Sequence, residues 1–320
     1  MAKRRIEIFL IAIVIGVGVI ATAVLGLWMF MAATPPLHKT PQDVTVVRGA
    51  EGQQWAGAVE KARPAVRAAV AEQNLPGLSV AVGAGNEIVW AEGFGWADID
   101  KRVPVAPNMK FRIGTASTAL TSAAAGLLLE KGRLKLDEKI QTYVPEFPAK
   151  QWPVTLRQVM AHVAGIRSDG GDEGPLFGVQ CEKPLDALPY FKDSELRFEP
   201  GTEYRFSRFG WILVSAAIED VTNEAFLSFM RKQIFEPLGM EHSEADSETA
   251  PDRVSFYFPR FASDPRYGPD PMRPLNYSCY AGASVFLSTP SDLVRFAMAI
   301  NSGKLLQPAT VQLLQTPQRL

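Results

Sequence analysis

A long uncharged segment near the N-terminus places the strongest constraint on what this chain can fold into. Lys3, Arg4 and Arg5 precede a run of 26 residues, Ile8 to Ala33, that contains no charged side chain. As a helix at about 1.5 Å per residue, such a run reaches roughly 39 Å, which is enough to cross a hydrocarbon core of about 30 Å with some tilt. The sequence therefore predicts one membrane-spanning helix.

A retained anchor is one of three interpretations of this segment. The hydrophobic part of a cleaved signal is usually only about 7–15 residues long, although the small residues Ala32 and Ala33 permit cleavage. A buried core helix is the third interpretation, and the position at the extreme N-terminus disfavours it. We expect a single-pass anchor over 8–33, with the basic tail 1–7 in the cytoplasm and all later residues on the periplasmic or extracellular side.

The residues after the apolar segment divide into a spacer and a domain. Pro35, Pro36 and Pro41 lie among polar residues with no clear period, which predicts a linker over 34–52. The remaining residues, 53–320, form one predicted domain. Hydrophobic side chains make up 47% of the chain and charged ones 21%, so the domain has ample apolar surface for a large core.

Hydrophobic periodicity within the domain predicts an α+β fold. Two β-rich runs, 78–82 and 88–94, flank Gly83-Ala84-Gly85-Asn86, which predicts a hairpin. Apolar residues at helical spacing predict helices, in chain order, over 55–73, 117–131, 156–163, 209–221, 223–234 and 291–302. The helix over 117–131 is apolar almost all round, which is typical of a helix inside a domain. Strands followed by a helix-rich middle indicate the α+β class.

Composition argues against several kinds of ligand. The formal net charge of −1 is unsuited to nucleic acid, because phosphate contacts need a basic surface. The three histidines are far apart in sequence and no CxxC motif is present, so we expect neither a metal site nor a cofactor. Cys181 and Cys279 allow two interpretations, a disulfide in an oxidising compartment or two separate small apolar side chains.

Nine short motifs follow one another along the domain in a fixed order. They are Leu75-Pro76-Gly77, Trp90-Ala91-Glu92-Gly93-Phe94-Gly95, Phe111-Arg112-Ile113-Gly114, Gly132-Arg133-Leu134-Lys135-Leu136-Asp137, Tyr143-Val144-Pro145-Glu146-Phe147, the segment 156–166, Glu199-Pro200-Gly201-Thr202, and the segments 234–240 and 286–293. In this order they resemble the β-lactamase-related serine hydrolases. That superfamily includes penicillin-binding proteins, class C β-lactamases, D-alanyl-D-alanine carboxypeptidases and mitochondrial β-lactamase-like proteins. The resemblance implies a β-lactamase/transpeptidase-like fold, with an antiparallel sheet and a helix-rich subdomain.

The resemblance also implies where the chemistry of the family would lie. Family members transfer acyl groups through a Ser-x-x-Lys motif at the start of a buried helix, and the lysine helps to remove the proton of the serine. The motif falls here on Thr115 for the serine and Thr118 for the lysine. A second motif, Tyr-x-Asn or Ser-x-Asn, falls on Phe206, Ser207 and Arg208. The resemblance thus implies that both proton-handling positions are substituted.

The substitutions change what these positions can do. Thr115 keeps a hydroxyl group, but its β-branch stiffens χ1 and crowds the path of attack. Threonine at the lysine position is neither a base nor a cation, and general-base assistance is typically worth about 10²–10⁴-fold in rate. Phe206 has no phenol oxygen, and Arg208 is not a base at physiological pH. The third family motif, Lys-Thr-Gly or His-x-Gly, would follow residue 320, so we expect the strands of the C-terminal part to be missing and the sheet to be incomplete.

Other residues near these motifs keep several interpretations open. Ser117 is an alternative nucleophile to Thr115, although Leu120 lies three residues on instead of a lysine. Thr115, Ser117 and Thr118 also suit the N-cap and first turn of a helix, a purely structural role. We expect His162 to support the fold beside the site. Lys110 is a further candidate that approaches the site from the preceding strand.

The sequence is compatible with two functions. The first is a membrane-anchored hydrolase or acyltransferase that acts on peptide, ester or β-lactam bonds with an atypical nucleophile. The second is a catalytically inactive relative that binds peptide-like or peptidoglycan-like ligands in the family cleft, or serves as a membrane-tethered scaffold. The two differ in whether Thr115 or Ser117 reacts covalently with a substrate.

Overall fold

A single long helix begins the chain in the computed structural model, which describes residues 2–32, 35–168, 174–259, 267–318 and 320. This helix, α1, spans Ala2–Ala32. Its segment Leu10–Phe30 has a mean hydropathy of 2.8 and none of it is buried against the rest of the protein. By length and composition, α1 is the one helix among the described residues that is able to cross a membrane. The predicted apolar helix is therefore present, while Ala33 lies outside the described residues.

The first sheet consists of four antiparallel strands and is covered by one helix. The strands are β1 (Val46–Glu51), β2 (Gly77–Ala84), β3 (Glu87–Asp98) and β4 (Val103–Pro104), in the order β1-β3-β2 with β4 beside β3. Gly85 and Asn86 join β2 to β3 with φ of +57° and +69°, the positive values that a tight hairpin turn requires. Helix α2 (Ala56–Glu72) packs onto this sheet, burying Val59 and Val70 against Trp90. The predicted hairpin and first helix are both present.

The predicted linker over 34–52 is wrong for most of its length. Val46–Glu51 form β1, which pairs with β3 from Val46 opposite Phe94 to Glu51 opposite Trp90. Before this strand, His38 is buried with 3% of its surface exposed, and the backbone N–H of Leu37 donates to Asn74 Oδ1 at 2.7 Å. The segment from Leu37 onward is thus part of the domain.

The main core lies in a helical region that follows the first sheet. The helices are α3 (Ser117–Glu130), α4 (Leu156–Met160), α5 (Arg208–Thr222), α6 (Phe226–Met230), α7 (Pro290–Asn301) and α8 (Pro308–Gln315). Helices α3 and α5 are buried along most of their length, as the sequence predicts for α3. Side-chain oxygens of Thr155, Ser207 and Thr289 accept backbone N–H groups at the starts of α4, α5 and α7, which satisfies donors that a helix start leaves open.

Two further small sheets and a disulfide complete the domain. Strands β5 (Phe111–Arg112), β6 (Glu244–Ala245) and β9 (Phe286–Ser288) form an antiparallel sheet in the order β5-β9-β6, and β7 (Tyr257–Pro259) pairs with β8 (Pro269–Pro271). Cys181 and Cys279 form a disulfide with a Cα–Cα distance of 4.9 Å. This settles the two interpretations of the cysteines in favour of the bridge.

The outer edge of β2 carries no further strand among the described residues. Helix α7 packs on the face of this sheet, and its Val294 and Met298 approach Gly83 so closely that a side chain at this position would collide with them. This contact joins the first sheet to the helical region. The antiparallel sheet and the helix-rich part therefore form adjacent layers of one domain.

Candidate functional site

The start of α3 is held in place by the three-stranded sheet. Strand β5 pairs with β9, Phe111 lying opposite Ser288, and the backbone N–H of Ile113 donates to Phe286 O at 3.2 Å. A short 3₁₀ turn over Gly114–Ala116 then leads into α3. Backbone pairing of the preceding strand therefore fixes where residues 115–118 lie.

Thr115 and Thr118, at the positions of the family nucleophile and lysine, are joined to each other. Thr115 is exposed and Thr118 is half-buried, and Thr118 Oγ1 donates to the backbone oxygen of Thr115 at 2.8 Å. Among the described residues, no histidine, lysine or carboxylate hydrogen-bonds to either hydroxyl group. The exposed hydroxyl of Thr115 consequently has no neighbouring base to remove its proton.

Ser117 is not available as a nucleophile, which corrects one of the sequence-based alternatives. Its side chain is fully buried, with 0% exposed, and the backbone N–H of Phe286 approaches Ser117 Oγ at 3.5 Å. Thr121 Oγ1 donates to the backbone oxygen of Ser117 at 3.1 Å. A substrate carbonyl cannot reach this hydroxyl group without unfolding the start of the helix.

The purely structural interpretation of these three residues holds only in part. Ser117 and Thr118 lie in the first turn of α3, as that interpretation requires. The N-cap position, however, is occupied by Ala116, and no side chain accepts a hydrogen bond there. None of these hydroxyl groups therefore caps the N-terminus of α3.

The second motif begins α5, and its serine has a structural role. Ser207 Oγ accepts the backbone N–H of Gly210 at 3.2 Å and donates to the backbone oxygen of Arg167 at 2.8 Å. The Phe206 ring lies 4.7 Å from the His162 ring. The Arg208 guanidinium lies 5.8 Å from the centre of the Tyr280 ring, within the range of a cation–π contact. None of the three side chains of the motif is a base at neutral pH.

His162 supports the second motif, as predicted from the sequence. Its Nδ1 faces the backbone N–H of Ser207 at 3.1 Å and its Nε2 faces Trp211 Nε1 at 3.1 Å. Burial lowers the pKa of His162 from 6.5 to about 4, because the charged imidazolium is poorly solvated there. A neutral imidazole has one acceptor nitrogen, so it serves one of these two donors at a time and is not poised as a general base.

Lys110 is engaged elsewhere. Its Nζ lies 2.5 Å from Glu244 Oε1, on the neighbouring strand β6, and its side chain is 7% exposed. The expectation that Lys110 supplies a cation to the site is therefore not met, because its charge is already paired.

A cavity of about 250 Å³ opens beside the first turn of α3. It is lined by polar and apolar side chains from five parts of the chain, including Thr118, Ser122, Arg157, Met160, Trp211 and Leu314. Of the six residues singled out from the sequence motifs, Thr118 alone is part of this lining. The cavity lies between α3, α4, α5 and α8, next to the modified motif.

Arg157 is the cation of this cavity, and sequence reasoning did not single it out. Its Nε and Nη2 bind Asp137 Oδ1 and Oδ2 at 2.6 and 2.8 Å, so Nη1 remains for another acceptor. This bidentate pair raises the pKa of Arg157 and lowers that of Asp137, each through the hydrogen bonds to its partner. The available signal was the position of Arg157 within the motif 156–166, shortly before His162.

The cavity offers hydroxyl groups, one cation and an apolar wall. Thr118 and Ser122 supply hydroxyl groups, Arg157 supplies the cation, and Met160 and Trp211 supply apolar surface. Within the described part of the chain, no group of three or more histidine, cysteine or acidic side chains has the geometry of a metal site. The arrangement suits binding of a small ligand that carries both an acceptor group and apolar atoms.

Comparison with known proteins identifies the family. The family model described as Beta-lactamase matches residues 62–320. The chain belongs to the β-lactamase family. The resemblance inferred from the short motifs is thereby confirmed. The matched segment begins within α2 and covers the modified motif, the cavity and the disulfide.

The curated relatives of this β-lactamase-family chain are distant. The human serine β-lactamase-like protein LACTB, mitochondrial, is 27% identical over 319 residues, which cover 78% of this chain and 57% of the human protein. The mouse protein of the same name is 28% identical, covering 77% of this chain and 58% of its own length. Protein flp of Staphylococcus aureus strain MW2 is 26% identical over 174 residues, or 53% of this chain and 35% of that protein. The chain thus spans less than two thirds of the length of these relatives.

Solved structures share the fold of this β-lactamase-family chain. The octameric penicillin-binding protein homologue from Pyrococcus abyssi has a TM-score of 0.68 and 23% identity, and the match covers 82% of this chain and 60% of that one. FmtA from Staphylococcus aureus has a TM-score of 0.69 and 19% identity, covering 82% and 70%. EstCE1, a hydrolase with promiscuous acyltransferase activity, has a TM-score of 0.66 and 22% identity, covering 82% and 75%. The predicted β-lactamase/transpeptidase-like fold is confirmed.

Proposed function

We propose that this β-lactamase-family chain is a membrane-attached binding protein that holds peptide-like ligands at the start of α3 without acyl transfer. The observation that carries the proposal is the hydrogen bond from Thr118 Oγ1 to the backbone oxygen of Thr115 at 2.8 Å. This contact occupies the position where the family resemblance implies a lysine beside the nucleophile. A hydroxyl group bound to a backbone oxygen neither accepts a proton at neutral pH nor supplies positive charge.

Among the described residues around Thr115, none substitutes for the missing base. The pKa of His162 is about 4 because the ring is buried, and both of its nitrogens face N–H groups. Lys110 is paired with Glu244. Loss of general-base assistance typically lowers a rate by about 10²–10⁴-fold, so the chemistry of the family would be very slow here even if a substrate were bound.

The cavity beside α3 supports binding of a ligand with a carboxylate or carbonyl group. Arg157 Nη1 is free of the pair with Asp137, and guanidinium groups bind carboxylates with strong, charge-assisted hydrogen bonds. The volume of about 250 Å³ is slightly below the range of about 300–1,000 Å³ typical of ligand pockets. The cavity therefore suits the terminal one or two residues of a peptide rather than a long substrate.

A hydrolase that uses Thr115 is the second candidate function. The observation in its favour is that Thr115 is exposed on the first turn before α3, where a substrate can reach its hydroxyl group. In this case the chain would act on peptide, ester or β-lactam bonds with water or a substrate group as the base. The two functions give opposite results with covalent probes.

Covalent labelling of the full-length chain in detergent tests the proposal. A fluorescent penicillin and a fluorophosphonate probe are each applied to the wild-type chain, Thr115→Ala and Ser117→Ala. We expect no labelling of any of the three. Labelling of the wild type that disappears in Thr115→Ala would establish the hydrolase instead.

Ligand binding is measured on the same preparations. Titration calorimetry with the dipeptide D-alanyl-D-alanine should give binding that Arg157→Gln weakens by at least about tenfold, since a charge-assisted hydrogen bond contributes about 1.5–3 kcal/mol. Arg133→Gln is the matched control, because Arg133 is exposed and lies outside the cavity lining. Equal affinity of both variants would reject the cavity as the binding site.

We further propose that α1 anchors the chain and that the domain lies on the extracytoplasmic side. Leu10–Phe30 has the length and hydropathy of a membrane span, and Lys3, Arg4 and Arg5 precede it, which favours a cytoplasmic N-terminus. The disulfide between Cys181 and Cys279 is typical of proteins in oxidising compartments.

Deletion of residues 1–35 tests the anchor. This deletion removes the apolar helix and leaves the buried His38 in place. We expect the full-length chain to sediment with membranes and the deleted chain to remain in the supernatant. Sedimentation that does not change on deletion would contradict the anchor.

A further inference from the structure

A second cavity lies far from the modified motif in sequence, between α2, β1 and the turn over Pro41–Asp43. Its volume is about 400 Å³. The side chains that give it its chemistry are Gln42, Arg48, Glu60, Arg63 and Arg67, together with Pro41. Three arginines therefore line one cavity. Whether each of them is able to bind an anion depends on the carboxylates with which it is already paired.

Arg63 is surrounded by three carboxylates. Its Nε and Nη2 bind both oxygens of Glu92 at 2.8 and 2.5 Å, and Glu92 is 1% exposed. Its Nη1 lies 2.5 Å from Glu60 Oε1, and Glu51 lies 3.6 Å from its Nη2. These three carboxylates hold Arg63 in the wall of the cavity and balance its positive charge. Arg63 therefore forms part of the wall and is not the cation that binds an anion.

Arg48 and Glu60 form the rim of the cavity. Arg48 Nη2 lies 3.5 Å from Glu60 Oε1, and both side chains are more than half exposed. Such an exposed pair is weak, because water screens the two charges. Glu60 is shared between Arg48 and Arg63, and it is the one carboxylate among the lining residues.

Arg67 is the arginine of this cavity that is not paired with a carboxylate of the described residues. It lies one turn after Arg63 on α2 and is half-buried. Its Nε is buried and has no hydrogen-bond partner in the described part of the chain, and no carboxylate there pairs with its guanidinium. A buried donor without an acceptor destabilises the folded protein, and an incoming acceptor would remove this destabilisation.

We propose that this cavity binds a phosphate-type anion, either a lipid headgroup or free phosphate, through Arg67 with Arg48 at the rim. A planar guanidinium presents N–H groups that match the oxygens of a phosphate. The membrane is within reach, because Pro41 follows Phe30 by eleven residues, and a chain of that length spans at most about 40 Å. Arg67 fixes the anion inside the cavity, and Arg48 exchanges its weak contact with Glu60 for one to the anion.

Thermal unfolding of the full-length chain in an uncharged detergent tests this site with sodium phosphate against sodium chloride at equal ionic strength. Phosphate should raise the Tm of the wild type, because a ligand that binds only the folded state stabilises it. Arg67→Gln should weaken the apparent affinity for phosphate by at least about tenfold. Lys61→Gln is the matched control, since Lys61 is an exposed cation on the same helix outside the lining, and its response should equal that of the wild type.

Reconstitution into nanodiscs distinguishes the two sources of the anion. Discs of phosphatidylcholine are compared with discs of an equal mixture of phosphatidylcholine and phosphatidylglycerol. A Tm rise in the mixed discs that is lost in Arg67→Gln, with no response to free phosphate, identifies the lipid headgroup. A response to free phosphate alone identifies a soluble ligand. Equal responses of Arg67→Gln and Lys61→Gln in both experiments would overturn the proposal.

A second variant keeps the test informative if Arg67→Gln does not fold. Glu60→Gln removes the carboxylate that repels an anion and competes for Arg48, so it should bind the anion more tightly than the wild type. Affinity that is unchanged or weaker in Glu60→Gln would contradict the proposed site.

Discussion

At the scale of single residues, His162 shows how burial decides between a structural and a catalytic role. Protonation would place an N–H on both ring nitrogens, each of which already faces an N–H group, of Ser207 and of Trp211. Burial acts in the same direction and lowers the pKa to about 4. The ring therefore stays neutral at physiological pH, and its function is to hold the start of α5.

The lowered pKa of His162 predicts a specific loss of stability in acid. An unfolded histidine binds a proton near pH 6.5, whereas the folded one does so only near pH 4. Between these values the unfolded state holds more protons, so the free energy of unfolding falls as the pH falls. Urea unfolding between pH 7 and pH 4 should show this loss in the wild type and its absence in His162→Asn.

Asparagine is chosen because His162 has φ of +61°, a conformation that asparagine tolerates. Burial also lowers the pKa of His38, so His38→Asn serves as the control. The His38→Asn variant should still lose, between pH 7 and pH 4, the part of the free energy of unfolding that comes from His162. Parallel curves for the wild type and His162→Asn would refute the assignment.

Single residues of the site were predictable only where a sequence motif marked them. The positions Thr115 and Thr118 follow from the motif order alone. The burial of Ser117 does not, because α3 is apolar on nearly every side and the sequence does not show which side faces the core. Arg157 was missed because its contribution depends on a cavity formed by helices that are distant in sequence.

At the scale of elements, α3 and α5 are in close backbone contact with the segment that follows the disulfide. Thr121 Oγ1 donates to the backbone oxygen of Gly282 at 3.0 Å, and Ser215 Oγ donates to that of Ala281 at 3.0 Å. Gly282 has φ of +75°, and a Cβ added there would lie 2.6 Å from the backbone oxygen of Trp211. The backbone of one segment thus fills the space between two helices.

This close approach predicts that Gly282→Ala is strongly destabilising. Both the strained φ and the collision with backbone act against alanine, and we expect a loss of at least about 2 kcal/mol in the free energy of unfolding. Gly178→Ala is the control, because a Cβ at Gly178 meets open space, and it should lie within about 0.5 kcal/mol of the wild type. Chemical denaturation of the three proteins measures both values, and similar midpoints would contradict the close contact.

The elements themselves were largely predictable, with β1 as the instructive exception. Helices α2, α3, α5 and α7 carry long runs of apolar residues at helical spacing, and the β2–β3 hairpin has its turn residues. Strand β1 lies at the edge of its sheet, and from Arg48 onward its residues are exposed. Its pairing with β3 joins residues about forty or more positions apart. The hydrophobic pattern of a short sequence window therefore does not predict this strand.

At the scale of the whole molecule, one disulfide joins two distant parts of the chain. Cys181 and Cys279 are 98 positions apart, and both are buried in the main core. The adjacent Tyr280 ring contacts Phe177 at 4.6 Å between ring centres and lies beside Arg208. The bridge therefore holds the segment that faces the start of α5.

Removal of this bridge should lower the stability of the entire domain. Closing a loop of this length restricts the unfolded chain, and loss of such a bridge typically destabilises by about 2–5 kcal/mol. We expect the Cys181→Ala/Cys279→Ala double variant to unfold at correspondingly lower denaturant concentration than the wild type. Reductant should lower the midpoint of the wild type towards that of the double variant and leave the double variant unchanged. A wild-type midpoint indifferent to reductant would contradict the prediction.

If α1 lies in a bilayer, as we propose, the buried His38 limits how far the domain extends from the membrane. The chain between the end of the apolar segment at Phe30 and the buried His38 is eight residues long, and it reaches at most about 29 Å. In that case a connection this short would confine the domain to a thin layer above the lipid, where effective concentrations of membrane-bound molecules reach the millimolar range. Ligands that are too weak to bind from solution would therefore occupy its cavities as neighbours in the plane of the membrane.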